Sequence, residues 1–300
     1  MGWIVKTLLT VFLLIVSASS FAKEYTFVAA PKGSIQEEKA IYEPIAEYLS
    51  RETGEKFIYV YIRDWITYRK AIYNDTYDVY FDGSHLSSYL VGYRNHEYLV
   101  RLKEWLSFVV IRRTENKLGP IQNLAGKTVC LHPEPNQATL MFLSRFDNPS
   151  RQPSIKVISG WRAAYDGVIN GACVAAVVPY ELFETYNVGK KTVMMEQFDL
   201  VPNQTFTASA RIPDNTMKKI RNALLNNDNP IMKRLLNVYS SKGMIPVESA
   251  DYKDNYLILT SDTVLGLDIT RKHPMITEKK PTNAGAPVSC AAAALGPGCR

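Results

Sequence analysis

The stretch YTFVAAPKGSIQEEKAIYEPIAEYLSRETGEKFIYVYI, residues 25–62, decides the fold. Its first six residues are an apolar run of strand length. The segment that follows sets Ile41, Ile45 and Leu49 four residues apart, which is one face of a helix. Gly54 supplies the helix stop, and KFIYVYI returns as a second strand. Strand, amphipathic helix and strand make a crossover unit, so the two strands are expected to lie parallel with the helix on their face.

The same alternation continues outward. Asp64 can cap a helix carrying Trp65, Tyr68 and Ile72. TYDVYFDG (76–83) reads as a third strand, and Ser84 opens a helix to about residue 93. WLSFVVIRRT (105–114) reads as one long strand. A second series then starts: GKTVCL (126–131), a turn HPEPNQ, and a helix over 138–146. SIKVIS (154–159) precedes a helix capped by Ser159 with Trp161, Ala164, Tyr165 and Val168 inward. CVAAVVP (173–179) is apolar throughout, as a strand buried on both faces would be. TFTASARI (205–212) and two helices close the pattern, the second with Asn229 at its cap and Pro230 at its first position.

Two similar α/β units in series, with a late segment returning to the first, predict two doubly wound lobes around a ligand cleft. The expected division is a signal peptide at 1–22, a discontinuous first lobe at 23–112 plus 205–267, a second lobe at 113–204 and a flexible tail at 268–300. The chain would cross between lobes near residues 112–114 and 201–204.

The amino terminus sets the compartment. Lys6, the apolar run 7–16 and SASSFA before Lys23 form a secretory signal with cleavage after Ala22. The apolar core is too short for a membrane span, which takes ~20 apolar residues. A soluble, exported mature chain is expected. The full sequence is 46% hydrophobic, enough for sizeable cores, and its net charge of +6 is scattered without a basic stripe. Nucleic-acid binding is excluded on that ground. Four cysteines in an oxidising compartment invite pairing. Cys130 and Cys173 lie in strand-like runs and can bridge if those strands are neighbours; Cys290 and Cys299 lie in the tail. Free thiols are the rival reading for both pairs.

IYEPIAEYLSRETGEKF, AIYNDTYDVYFDG, NLAGKTVCL and GACVAAVVPYELFE together resemble the PhnD-like periplasmic binding proteins of phosphonate and phosphate-like ABC importers. The resemblance implies a type II periplasmic-binding fold, a venus flytrap that closes on one small ligand and hands it to a membrane permease. It implies ligand contacts from RDWITY (Asp64, Trp65, Tyr68) and FDGSHLSSY (Asp82, Ser84, His85, Tyr89) in the first lobe. In the second lobe it implies the turn that opens the helix after GKTVCL, here HPEPNQAT with Asn136, Gln137 and Thr139. Trp161 and Tyr180 complete the candidate set.

This turn departs from an anion cradle. Pro133 and Pro135 have no N–H, and Glu134 brings negative charge. What remains is Asn136 as a cap, the amides of residues 137–139 and the Thr139 hydroxyl. A doubly charged phosphonate is therefore not the expected ligand. The tyrosines at 59, 61, 68, 73, 77, 80 and 89 open a second possibility, a carrier of an apolar guest such as a sterol or hopanoid working with an efflux or trafficking system; several of them can equally be core. No GxSxG, HExxH or CxxC occurs, so no enzyme and no cofactor is expected. A metal held by Asp82, His85, His132 and Glu134 is the weaker reading of those residues. The expected partners are a small-molecule or lipid ligand and an inner-membrane permease or efflux pump, with the protein a monomer.

Overall fold

The computed structural model describes residues 23–255 and residue 259. The signal segment 1–22 and the tail at 268–300, with Cys290 and Cys299, lie outside the described residues. Among those described, no helix is long and apolar enough to cross a membrane.

The first sheet begins with strand β1 (Glu24–Ala29), helix α1 (Ile35–Thr53), β2 (Lys56–Tyr59), α2 (Trp65–Asn74), β3 (Val79–Asp82), α3 (Ser84–Tyr93) and β4 (His96–Leu102). The start of α1 follows from its sequence. The Ser34 side chain accepts from the Glu37 amide while the Glu37 carboxylate accepts from the Ser34 amide, a reciprocal cap. Gly54 ends the helix in the left-handed region at φ 79°, where a side chain would be strained. Strands β1, β2 and β3 are parallel, as the crossover pattern requires.

The second sheet comprises β6 (Phe108–Arg113), β7 (Thr128–Leu131), β8 (Ser154–Val157), β9 (Ala175–Pro179) and β10 (Thr192–Gln197), with helices α4 (Gln137–Leu143), α5 (Trp161–Ile169) and α6 (Tyr180–Tyr186). Between the sheets lie two short strands, β5 (Trp105–Leu106) and β11 (Val201–Pro202), which pair antiparallel. The chain then returns through β12 (Thr205–Ser209), α7 (Asp214–Leu225), α8 (Pro230–Val238) and β13 (Met244–Pro246). The sheet orders are β13-β4-β12-β3-β1-β2 and β10-β6-β9-β7-β8. The late strands β12 and β13 thus rejoin the first sheet.

One expectation changes here. The run 105–114 is not a single strand. It breaks at Ser107; β5 pairs with β11, while β6 lies wholly in the second sheet against β9 and β10. The first crossing is therefore at β5 and not near residues 112–114. A hydrophobic run reports burial and does not report a change of sheet. The β5–β11 ladder is the double-stranded connection about which two lobes can pivot.

Phe81 and Phe206 stack at 4.2 Å within the first core, and Phe27 lies 5.7 Å from Phe206. Another buried cluster spans both lobes, from Val28, Tyr68 and Leu86 to Leu131, Leu140 and Phe142. In the second lobe Cys130 of β7 and Cys173, two residues before β9, form a disulfide with Cα atoms 5.6 Å apart. Helix α5 crosses the bridge at Gly167, where an added Cβ would stand 2.7 Å from the Cys130 sulfur. Only glycine lets the helix approach that closely.

Candidate functional site between the lobes

In each sheet the chain leaves one strand, β1 or β7, in one direction and later returns on its other side. The switch falls between β1 and β3 in the first sheet and between β7 and β9 in the second. Ligands of open α/β sheets bind outside the carboxyl ends of strands at such points. Four turns meet that description: 30–34 after β1, Gly83–Ser84 after β3, 132–136 after β7 and Pro179–Tyr180 after β9.

The turns after β3 and β7 touch. The Gln137 side-chain amide donates to the Ser84 hydroxyl at 2.7 Å, and His85 Nε2 lies 2.8 Å from the Pro135 carbonyl. A carbonyl only accepts, so in the neutral ring Nε2 carries the proton. Burial lowers the His85 pKa to about 4, against the bonds to Pro135 and Gln137, which favour the charged ring. His132, at the end of β7, is likewise lowered to about 4 by burial; its ring centroid sits 3.9 Å from that of Trp161, and its Nε2 is buried without a hydrogen-bond partner.

Asp82 ends β3 with 0% exposure. Tyr68 donates to its Oδ1 at 2.6 Å, and Oδ2 is buried with no partner. Burial raises the Asp82 pKa to about 7, opposed by the Tyr68 bond and the attraction of Lys32. A carboxyl in this state can donate or accept near neutrality.

Two amides and a hydroxyl of the turn after β7 are committed within it. Asn136 Oδ1 accepts from the amides of Ala138, at 3.0 Å, and Thr139, at 3.4 Å, and the Thr139 hydroxyl donates to the His132 carbonyl at 2.8 Å. In the first lobe the buried Glu38 carboxylate accepts from the amides of Lys32 (2.5 Å) and Gly33 (2.9 Å) and from the Tyr59 hydroxyl (2.8 Å). Each turn thus has two of its amides taken by a side-chain oxygen of its own, Lys32 and Gly33 by Glu38 and Ala138 and Thr139 by Asn136.

The family pattern described as "ABC transporter, phosphonate, periplasmic substrate-binding protein" matches residues 27–252. The chain belongs to that family. Solved structures agree in fold. A Xanthomonas citri protein bound to ATP superposes with TM-score 0.65 at 8% identity, covering 80% of this chain and 98% of that one. PhnD1 from Prochlorococcus marinus in complex with methylphosphonate gives 0.61 at 14% identity, covering 79% and 97%. A binding-protein component of an ABC phosphonate transporter from Pseudomonas aeruginosa gives 0.58 at 14%, covering 80% and 85%. No curated protein sequence matches the chain. As a phosphonate-family binding protein it has the type II periplasmic-binding fold of two lobes, and its family is one of solute binders rather than catalysts.

Within this family member, the residues singled out from sequence fall into two groups. Asp82, Ser84, His85, Asn136, Gln137, Thr139 and Trp161 gather at the interlobe turns. Tyr68 reaches them through Asp82. Trp65 is half-buried beside Tyr68, with ring centroids 5.8 Å apart. Asp64 acts as the cap of α2, accepting from the Thr67 amide at 2.8 Å, which lowers its pKa. Tyr89 is 3% exposed, stacked on Tyr93, with Arg94 donating to its hydroxyl. Tyr180 opens α6 half-buried, its amide donating to the Ser107 carbonyl at 2.9 Å.

Sequence reasoning missed Lys32, Glu38 and Tyr239. Lys32 had a legible signal, a cation in the turn directly after the first strand. Glu38 and Tyr239 gave none, because their roles depend on contacts 5 or 6 and 207 residues away along the chain. If Trp65 faces the guest, as proposed from the sequence, Trp65→Ala is expected to cost at least tenfold in affinity for whatever guest is recovered with the protein, since an aromatic contact supplies much of the binding energy. The Tm should fall by no more than about 5 °C, because the ring is only half-buried. Titration and thermal melts read both quantities; a large fall in Tm with unchanged affinity would make Trp65 a core residue.

Proposed function

We propose that this protein captures a small polar solute between its lobes in the periplasm and delivers it to an inner-membrane ABC permease, and that the solute is not a phosphonate dianion. What carries the reading is the commitment of donors in the turn after β7. A dianion cradle needs several free amides and hydroxyls aimed at the charge. Here Pro133 and Pro135 have none to give, Asn136 holds the amides of Ala138 and Thr139, and the Thr139 hydroxyl is turned to His132. The buried, partnerless oxygen of Asp82 adds an acidic group where a dianion would be repelled.

Export through the segment 1–22 and action as a monomer fit this role. A lipid-like guest passed to an efflux system is the rival. The aromatic load that favours it goes largely into the core: Tyr59, Tyr68, Tyr80 and Tyr89 are all 6% exposed or less. Calorimetric titration with methylphosphonate decides the main point. The expected Kd is about 1 mM or weaker, in the range where ~4 kcal/mol is gained; a micromolar Kd overturns the reading, and a co-purified lipid would favour the rival.

A further inference from the structure

We propose that Lys32 is the charge anchor of the guest, and that the guest's acidic group is a single carboxylate carried on a small solute. The inference rests on the reading that the cleft takes a solute other than a phosphonate dianion.

Lys32 stands in the turn after β1, at the switch point, with Asp82 at the end of the adjacent strand β3. The residue is exposed to solvent, yet its ammonium lies 4.2 Å over the Tyr239 ring and donates to the Tyr239 hydroxyl at 3.1 Å. That hydroxyl is 2.6 Å from the hydroxyl of Tyr42. The ring and hydroxyl of Tyr239 enclose the ammonium on one side while the residue stays open to solvent. The enclosure lowers its pKa to about 8, against the attraction of Asp82 and Glu38. Among the described residues no carboxylate forms an ion pair with it, so a charge of this kind is available to an incoming group.

The number of donors sets the class of that group. An ammonium has three N–H bonds, and one is used on Tyr239. Two remain, which suits the two oxygens of a carboxylate. A phosphonate dianion presents three oxygens and two charges. Its second charge would have no cation, because the other groups that act on Lys32 are acidic: the Glu38 carboxylate, already filled by two amides and Tyr59, and Asp82. Four turn amides add nothing to it: those of Lys32 and Gly33 are held by Glu38, and those of Ala138 and Thr139 by Asn136. A singly charged acid leaves the local balance near zero.

The test uses the mature chain with its disulfide intact, freed of any guest by mild denaturation and dialysis. It is equilibrated with an equimolar mixture of lactate, alanine, glutamate, methylphosphonate and glucose. Native mass spectrometry reads which species stays bound, and titration gives its affinity. We expect one of the carboxylates to be retained, Lys32→Met to weaken it about thirtyfold or more, Lys32→Arg to hold it within about fivefold, and the Tm of both variants to stay within about 3 °C of the parent. A retained carboxylate indifferent to Lys32→Met overturns the anchor while leaving the proposed function intact. Retention of methylphosphonate overturns both the carboxylate class and the proposed function. Retention of glucose alone, or of nothing, overturns the anchor.

Discussion

Replacing Cys130 and Cys173 together by alanine lowers the stability of this protein by about 4 kcal/mol, the expected result with the largest single effect. The bridge closes a loop with a sequence separation of 43, and the chain-entropy cost of leaving such a loop open in the unfolded state is of that order. For a chain of this size the loss reads as a Tm lower by roughly 8–15 °C. The consequence reaches the site, because the bridge ties β7 to the segment that leads into its neighbour β9, and the carboxyl ends of these strands carry His132 and Tyr180. Thermal melts of the parent with and without reductant, beside the double variant, check it. Equal Tm values in all three would mean that the bridge contributes nothing.

Asp82→Asn is expected to stabilise the protein above neutral pH by roughly 2–4 kcal/mol. Burial raises the folded-state pKa from 3.8 to about 7, so between those values the folded protein holds a proton that the unfolded chain has lost. The corresponding stability is fully present below pH 4 and disappears as pH rises through about 7. Asparagine keeps an oxygen to accept from Tyr68 and never ionises. His85 and His132 oppose this slope: their pKa values fall from 6.5 to about 4, so they cost stability as pH drops through that window. The signature is therefore the difference between variant and parent, small at pH 4 and growing to pH 8. Urea melts at pH 4, 6 and 8 measure it, and curves that run parallel across the range would contradict the assignment.

How far the sequence reveals this molecule depends on the range of the interaction involved. The βα repeats are legible because helix and strand periods differ and because caps such as Ser34 and Asn229 mark where helices start. Strand β4 is not, since HEYLVRL mixes charged and apolar residues and buries Arg101, which reaches the backbone carbonyls of Leu102 and Lys103. The break at Ser107 is silent for a related reason: apolar residues on both sides of it make two strands look like one. The site divides in the same way. The turns after β3 and β7 stand out as strand ends that run into helices, and Asn136 is recognisable as a cap. That its side chain takes up the amides of Ala138 and Thr139 is local chemistry and follows from the cap. The filling of the β1 turn by Glu38 is different. A glutamate inside the first turns of a helix reads as a solvated charge until Tyr59 is brought over it by the packing of β2 beside β1.

The central claim is that a guest sits between turns that have too few free donors for a doubly charged oxyanion. A crystal structure of the protein purified from its own periplasm, with its guest retained, tests this most directly. The expected density is a small solute between the Gly83–Ser84 and 132–136 turns, with an acidic group at the Lys32 ammonium. A phosphoryl group seated on the amides of residues 137–139, with the Asn136 side chain displaced from them, would contradict it.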